Sequence, residues 1–418
     1  MGNFRKARLP SGVAAFKSQF DVMPSAYLDF RNRELFYPYF RPSGFVDIPG
    51  ASFSRASSAT GFVDGVMTEF AADQPRLTDD GLVRVTGVTN KVQAYAKPLG
   101  GEAGAAVSNS SAGGAGVLSL VNDAAALSAE GLGEITNSIV YRLDNSSGTD
   151  ESRIRFNGIF DTTNNACWSA YVRSISGGNG QIKLRTAFGA YPFLSGLDAN
   201  FKRFEQSTPN RNAGTGSPND VLWVAAQAGE IIHVCLPMAE ENRLTTSPYV
   251  PTSGAAASTD TDQAGFASVA GLSLDAATQA NGYTLIGWIG AHERRDVAAR
   301  IIGMDAPGTT SLINFIGNSS TNIGVYNGET VLGKNGAISA GSPFSFTLTQ
   351  SSAFRGLSVA GSAMVSDTEG CPAFTSLHLG EAPTGGNAMR LITLERLIVL
   401  PRLVTAAEAQ AMNQWSPS

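Results

Sequence analysis

From Val83 to Val250, apolar and polar positions alternate in short runs separated by Gly/Ser/Asn-rich turns. The runs are NSIVYRL (Asn137 to Leu143), SRIRFNGIF (Ser152 to Phe160), CWSAYVRSI (Cys167 to Ile175), QIKLRTAF (Gln181 to Phe188), VLWVAAQ (Val221 to Gln227) and EIIHVCLPM (Glu230 to Met238). A period of two over stretches this short predicts half-buried strands, and the turn signals between them predict an antiparallel sandwich or jelly roll. A second strand-rich region follows, with GYTLIGWIG (Gly282 to Gly290), ARIIGM (Ala299 to Met304), SLINFIG (Ser311 to Gly317), TNIGVYNG (Thr321 to Gly328), FSFTLTQ (Phe344 to Gln350), FRGLSVAG (Phe354 to Gly361) and RLITLERLIVLP (Arg390 to Pro401). Between the two regions, PTSGAAASTDTDQAGFAS (Pro251 to Ser268) is small, polar and aperiodic, and reads as a linker. A helix is expected only at the end, where Thr405 and Glu408 form a capping-box pattern ahead of AQAMNQW. The expected fold is all-β: two antiparallel sandwiches with a short C-terminal helix.

Ahead of the first sandwich lies FSRASSATGFVDGVMTEFAADQPRL, Phe53 to Leu77. Asp64-Gly65 sits between TGFV and VMTEF, the pair a two-residue hairpin loop prefers because both central positions need positive φ. Pro75 then ends the hairpin, since a central strand does not tolerate proline. The first 41 residues hold seven Lys/Arg, three Asp/Glu and nine of the chain's aromatics, including LFYPYF at Leu35 to Phe40. Such a segment either packs on its own domain or docks on another subunit, because aromatics and arginines are enriched at interface cores. The expected boundaries are 1–48 for an N-terminal attachment segment, 49–82 for a hairpin adaptor, 83–253 for a jelly roll, 254–268 for the linker and 269–418 for the second sandwich.

Composition narrows the function. Charged residues make up 16% and hydrophobic residues 43% of 418 residues, which fits a folded chain of more than one domain. A net charge of −5 offers no general basic field for phosphates, so nucleic acid is not an expected partner. Cys167, Cys235 and Cys371 are too scattered for a disulfide framework or a metal site. No run approaches the length of a membrane span or the apolar core of a signal peptide. The expectation is a chain with no cofactor, no metal and no membrane insertion.

The hairpin segment, followed by GLVRVTGVTNKV (Gly81 to Val92), resembles a segment of phage tail-fibre, head-spike and related virion proteins. Phe53, Arg55, Ala56, Ser57, Asp64, Gly65, Pro75, Arg76, Thr89 and Asn90 hold the pattern, while Gly87 and Val88 depart from it. AQAGEIIHVCLPMAEENRLTTSPYVPTSGAA (Ala226 to Ala256), with Glu240, Glu241 and the exit Thr246 to Thr252, resembles the last strand of the carbohydrate-binding-module-like jelly rolls in those proteins. FRGLSVAG and LERLIVLPRLVTAAEAQAM resemble a concanavalin-like or laminin-G-like sandwich. The resemblance implies a virion protein, displayed on a particle's exterior, that meets host surface polysaccharide. Its implied partners are other virion subunits, through the N-terminal segment, and copies of itself, as a homo-oligomer that is trimeric by analogy.

No motif for catalysis appears. The carboxylate pairs Glu130/Glu134 and Glu293/Asp296 lie in turn-like surroundings, and His233, His292 and His378 lack partners at ligand spacing. His233 and Cys235 share one strand face, a pair more often packed or solvated than reactive. Sugar binding needs an exposed ring with polar groups beside it. The candidates are Tyr191 and Phe193 in the loop-like GAYPFLSG, Trp168 or Trp223 on jelly-roll strands, and Trp288 with His292 in the second sandwich, against a competing reading that packs the tryptophans between sheets. Arg5, Lys6, Arg8, Phe36, Tyr37, Tyr39 and Phe40 are the candidate particle anchors. The expected function is non-enzymatic; the alternatives are a polysaccharide depolymerase or esterase on the same folds, and a purely structural capsid or tail decoration.

Overall fold

The computed structural model describes residues 9–37, 42, 44–93, 107–111, 116–158, 165–176, 180–185, 192–208, 220–243, 246–253, 255–294, 299–306, 309–315, 322–334, 338–339, 341–381 and 388–415. The fold is all-β, built from antiparallel sheets, as the alternation predicts. The chain forms two compact units, neither continuous in sequence. One consists of Met1–Arg55, Asp73–Thr86 and Thr261–Ser418, the other of Ala56–Ala72 and Gly87–Asp260.

In the first unit a nine-stranded sheet faces a seven-stranded one among the described residues. The long central strands Tyr283–Arg294 and Met389–Leu400 pair with each other, with Phe344–Ser351 beyond the first and Ala26–Asp29 and Gly81–Val85 beside the second. Leu285, Leu348, Leu357, Leu397 and Val399 point toward the seven-stranded sheet and meet Phe266, Ile302, Met304, Val325 and Leu377 in one core. The alternate positions Ile286, Ile398 and Leu400 point the other way, under two helices, Ser11–Phe20 and Ala406–Gln414. A sheet covered on both faces needs apolar residues at successive positions. That is why RLITLERLIVLP reads as a nearly unbroken apolar run. The C-terminal helix starts as expected, with the Thr405 hydroxyl accepting from Glu408 N–H and the Glu408 carboxylate accepting from Thr405 N–H.

The N-terminal segment is not separate from this sandwich. Ser11–Phe20 is a helix that the sequence pattern did not predict, and Val13 and Phe16 on it are fully buried. Ala26–Asp29 adds to Met389–Leu400 with Tyr27 opposite Ile398, and Glu34–Phe36 adds beside it. Phe36 and Tyr37, expected as particle anchors, are core residues at 5% and 7% exposure. The other anchor candidates, Arg5, Lys6, Arg8, Tyr39 and Phe40, lie outside the described residues. The local aromatic density answers to packing on the chain's own sheet, the first of the two readings of this segment.

The second unit is a sandwich of two five-stranded sheets. One runs Val117–Asn122, Ile139–Asp144, Ile231–Glu241, Ala166–Ser174, Lys202–Thr208; the other runs Leu194–Ser195, Gln181–Arg185, Asp220–Ala226, Ser152–Asn157, Val107–Ser111. Trp168, Phe156, Ile154, Leu184, Leu222, Val224 and Val234 fill the space between them. The motif residues of this unit hold its backbone together. Buried Asn90 donates to the carbonyls of Pro237 and Val250 and accepts from the N–H groups of Val92 and Ala239, which uses its full side-chain amide. Glu240 accepts from both the N–H and the hydroxyl of Ser247, and Glu241 pairs with Lys91 at 3.3 Å.

The hairpin forms as predicted, from Ala59–Val63 and Val66–Phe70 with Asp64 and Gly65 both at positive φ. It belongs to the second unit, where Met67 N–H donates to Gly131 and the Thr60 hydroxyl donates to Tyr249. The expected linker contains two strands. Ala257–Thr259 pairs with Val88–Asn90 in the second unit, and Gln263–Phe266 pairs with Ala51–Ser54 in the first. Between those strands Asp262 is fully buried.

Candidate functional site

The outward face of the Asp220–Ala226 sheet carries the chemistry. Period-two alternation sends Ile154, Phe156, Ile182, Leu184, Leu222 and Val224 into the core. The opposite face therefore receives Arg153 and Arg155 from one strand, Lys183 and Arg185 from another, and Trp223 and Ala225 from the strand between. Register arranges them in two rungs. Arg155, Trp223 and Arg185 lie directly across from one another, and so do Arg153, Ala225 and Lys183. Ser108 and Ser110 occupy the same two rungs on the neighbouring strand.

The small Ala225 leaves space that long side chains fill. The guanidinium carbons of Arg153 and Arg185 lie 4.5 Å and 4.9 Å from the Trp223 ring centroid. Both are cation–π distances, so the indole holds two guanidinium groups in place. Phe193 is half-buried, with the Lys183 ammonium 4.0 Å from its centroid. Glu151 stands among the cations, 2.7 Å from Lys183 Nζ, 3.7 Å from Arg185 and 3.8 Å from Arg153 Nε. The side chains of Arg153, Lys183 and Arg185 are 13–19% exposed, so they are set into the surface rather than waving above it. Burial, together with the neighbouring charges of Arg185 and Arg155, pushes the Arg153 guanidinium below its ordinary pKa despite Glu151.

Of the expected sugar-binding residues, this face brings together Trp223 and Phe193. Tyr191 lies outside the described residues. Trp168 is core, at 0% exposure, with its indole N–H donating to Val221. Trp288 is half-buried beneath the two helices of the first unit, where it packs against Trp415 and the Arg396 guanidinium lies over its ring. His292 is buried beside Phe344, and its Nε2 accepts from Gly341 N–H; burial lowers its pKa. Trp288 and His292 therefore serve packing in the first sandwich.

A second polar cluster forms on the other sheet of the second unit. Asp123 accepts from Arg173 through both carboxylate oxygens and faces His233 Nδ1 at 2.5 Å. Burial lowers the His233 pKa against the opposing pull of Asp123, and burial pushes the Cys235 thiol well up. Among the described residues no group of three or more His, Cys, Asp or Glu is placed to hold a metal.

Sequence reasoning selected the aromatic at the centre of the face and missed the cations around it. The signal was present: in SRIRFN and QIKLR the basic residues occupy alternate positions, which places all four on one side.

No protein-family model matches the chain, and no curated protein matches it. Similar solved structures include the Ruminococcus gnavus IT-sialidase CBM40 bound to alpha2,3 sialyllactose (12% identity, TM-score 0.30, 36% of this chain and 91% of that one). The Trypanosoma rangeli sialidase matches at 10% identity and a TM-score of 0.29, over 36% of this chain and 26% of its own. The botulinum neurotoxin serotype D binding domain matches at 12% identity and a TM-score of 0.26, over 37% of this chain and 40% of its own. Likeness at these TM-scores carries no functional weight.

Proposed function

We propose that this chain is a non-enzymatic glycan-binding protein displayed on a phage-type particle, and that it meets host surface polysaccharide on the Trp223 face. The observation that carries the glycan reading is the rung of Arg155, Trp223 and Arg185 on an outward sheet face, an aromatic centre with hydrogen-bonding groups on both sides. The resemblance of the Phe53 to Val92 segment to virion proteins supports the particle. Assembly as a homo-oligomer would raise weak single-site affinity through effective concentration.

Titration of the full chain with a panel of surface-type oligosaccharides, followed by assay of the products for new reducing ends, tests the first part. Binding without chain shortening is expected. No binding to any saccharide by folded protein overturns the glycan reading, and reproducible shortening overturns the non-enzymatic one. Mass spectrometry of particles purified from a producing culture tests the second part, since absence of the chain's peptides from intact particles overturns the assignment.

A further inference from the structure

We infer that the Trp223 face selects an acidic saccharide, one bearing a carboxylate or a sulfate, and that Arg153 is its principal anion-binding residue. The inference rests on the glycan-binding reading above and adds the class of sugar.

Three observations carry it. The first concerns what the aromatic rings offer. A neutral pyranose stacks on a bare ring, but Trp223 is only 8% exposed and has two guanidinium groups within cation–π distance. Phe193 is likewise approached by the Lys183 ammonium. The rings act as supports for cations, and a ligand at the face meets the cations first.

The second concerns hydrogen-bonding polarity. Arginine and lysine are donors only, whereas each hydroxyl of a neutral sugar both donates and accepts. Two acceptors among the described side chains beside the cations are already engaged: Glu151 faces Arg153, Lys183 and Arg185, and Gln181 Oε1 accepts from Gln227. A face of donors matches a group that only accepts, which is what an ionised carboxylate or sulfate does.

The third concerns charge. Three arginines and one lysine share this face with Glu151, and Arg153 Nε is enclosed with no hydrogen-bond acceptor among the described residues, the Glu151 carboxylate oxygen lying 3.8 Å away. Like charges held close and half-buried repel, and an incoming anion relieves that repulsion. Glu151 already shows that a carboxylate fits among three of these cations. A single-stranded nucleic acid would supply anions too, but it is held largely by stacking on open rings, and the two described rings of this face are engaged by cations.

The experiment is calorimetric titration of the full chain with three size-matched oligosaccharides, one carboxylated, one sulfated and one neutral, and with single-stranded DNA of similar length. Binding by either acidic saccharide is expected, with the better of the two identifying the anion. The affinity should fall severalfold as salt is raised through the range in which surface charges are screened. Arg153→Gln should weaken binding about ten- to a hundredfold, the loss of a hydrogen bond to a charged group. Glu151→Gln should strengthen it by removing a competing carboxylate. If a variant loses its cooperative thermal transition, the salt dependence and ligand ranking of the native chain decide. Equal binding of the neutral oligosaccharide, insensitive to salt, overturns the acidic-sugar inference while leaving glycan binding intact. Acidic-saccharide binding unchanged in a folded Arg153→Gln protein overturns the site. DNA binding as tight as that of the acidic saccharides reduces the face to a general polyanion patch and overturns the selectivity. No saccharide binding at all defeats the underlying reading instead.

Discussion

Arg55 and Asp262, 207 residues apart in sequence, meet at 3.0 Å with both side chains fully buried. Arg76 reaches the other oxygen of the same carboxylate through Nε and NH2, and Val85 N–H donates to it as well. Arg84 Nε donates to the Asp262 carbonyl. The Ser-Arg-Ala-Ser and Pro-Arg elements that mark the sequence are thus the two arms of a buried ionic clamp.

Asp262→Asn retains the shape of the side chain but leaves two buried guanidinium groups facing a neutral amide. Breaking one partner of a buried pair costs about 3–5 kcal/mol. The first unit should melt earlier by a margin that calorimetry resolves easily, and Asp262→Ala should be at least as severe. A transition unchanged in either variant would show that the clamp is not a stability element.

Removing residues 1–37 should unfold the first unit rather than free it of a tail. The truncation strips Tyr27 and Phe36 from the edge of the nine-stranded sheet and uncovers Ile286, Ile398 and Leu400, which Val13 and Phe16 cover. Each fully buried side chain of this size contributes roughly 1.5–3 kcal/mol, so the loss exceeds the usual margin of a domain. Loss of its cooperative transition, with the second unit's transition retained, is the expected calorimetric result.

Asn90→Ala tests the backbone hub of the second unit. The substitution leaves the Pro237 and Val250 carbonyls and the Val92 and Ala239 N–H groups without their partner. A buried polar group left unsatisfied costs about 1–3 kcal/mol, and this change orphans several at once. Hydrogen exchange should accelerate at Val92 and Ala239 before it does elsewhere in the unit. Uniform exchange would mean that the hub is not local.

Glu408 gives a pH signature. Hydrogen bonding from Arg402 holds its carboxyl down at about 2, with the Thr405 groups adding to the effect. A folded pKa below the ordinary 4.5 means that the ionised form contributes stability above 4.5 and that this contribution fades as pH falls toward 2. Glu408→Gln should lower the melting temperature at neutral pH, and the gap from the native protein should close across that interval. A gap independent of pH would assign the loss to helix propensity instead of charge.

The strands were legible because the period of two is local and each sheet needs it. NSIVYRL, VLWVAAQ and FSFTLTQ all form strands over nearly their whole length. The partition into units was not legible, because it depends on pairings such as Gln263 with Ser54 that no local pattern encodes. The helix at Ser11–Phe20 was hidden by its weak start: Pro10 precedes it and no side chain caps it. At the site, Trp223 stood out by its residue type, whereas Arg153 and Arg185 became visible as a set only once register placed their strands on either side of it. The small polar composition of the 254–268 segment concealed Asp262, because solvent exposure and ionic burial both favour a carboxylate there when its partners are out of sight.

The clamp also determines how the second unit could be exchanged. Asp73 N–H donates to Arg55 O, and Asp262 N–H donates to Val85 O, each at 2.9 Å. Each excursion of the chain, 56–72 and 87–260, therefore departs and returns through neighbouring backbone positions, so that the two together form one cassette. Replacing both excursions with two short turns would leave every strand of the first sandwich in its register. A lineage that traded this cassette for another could replace the whole second unit in one recombination step and keep the frame that carries it.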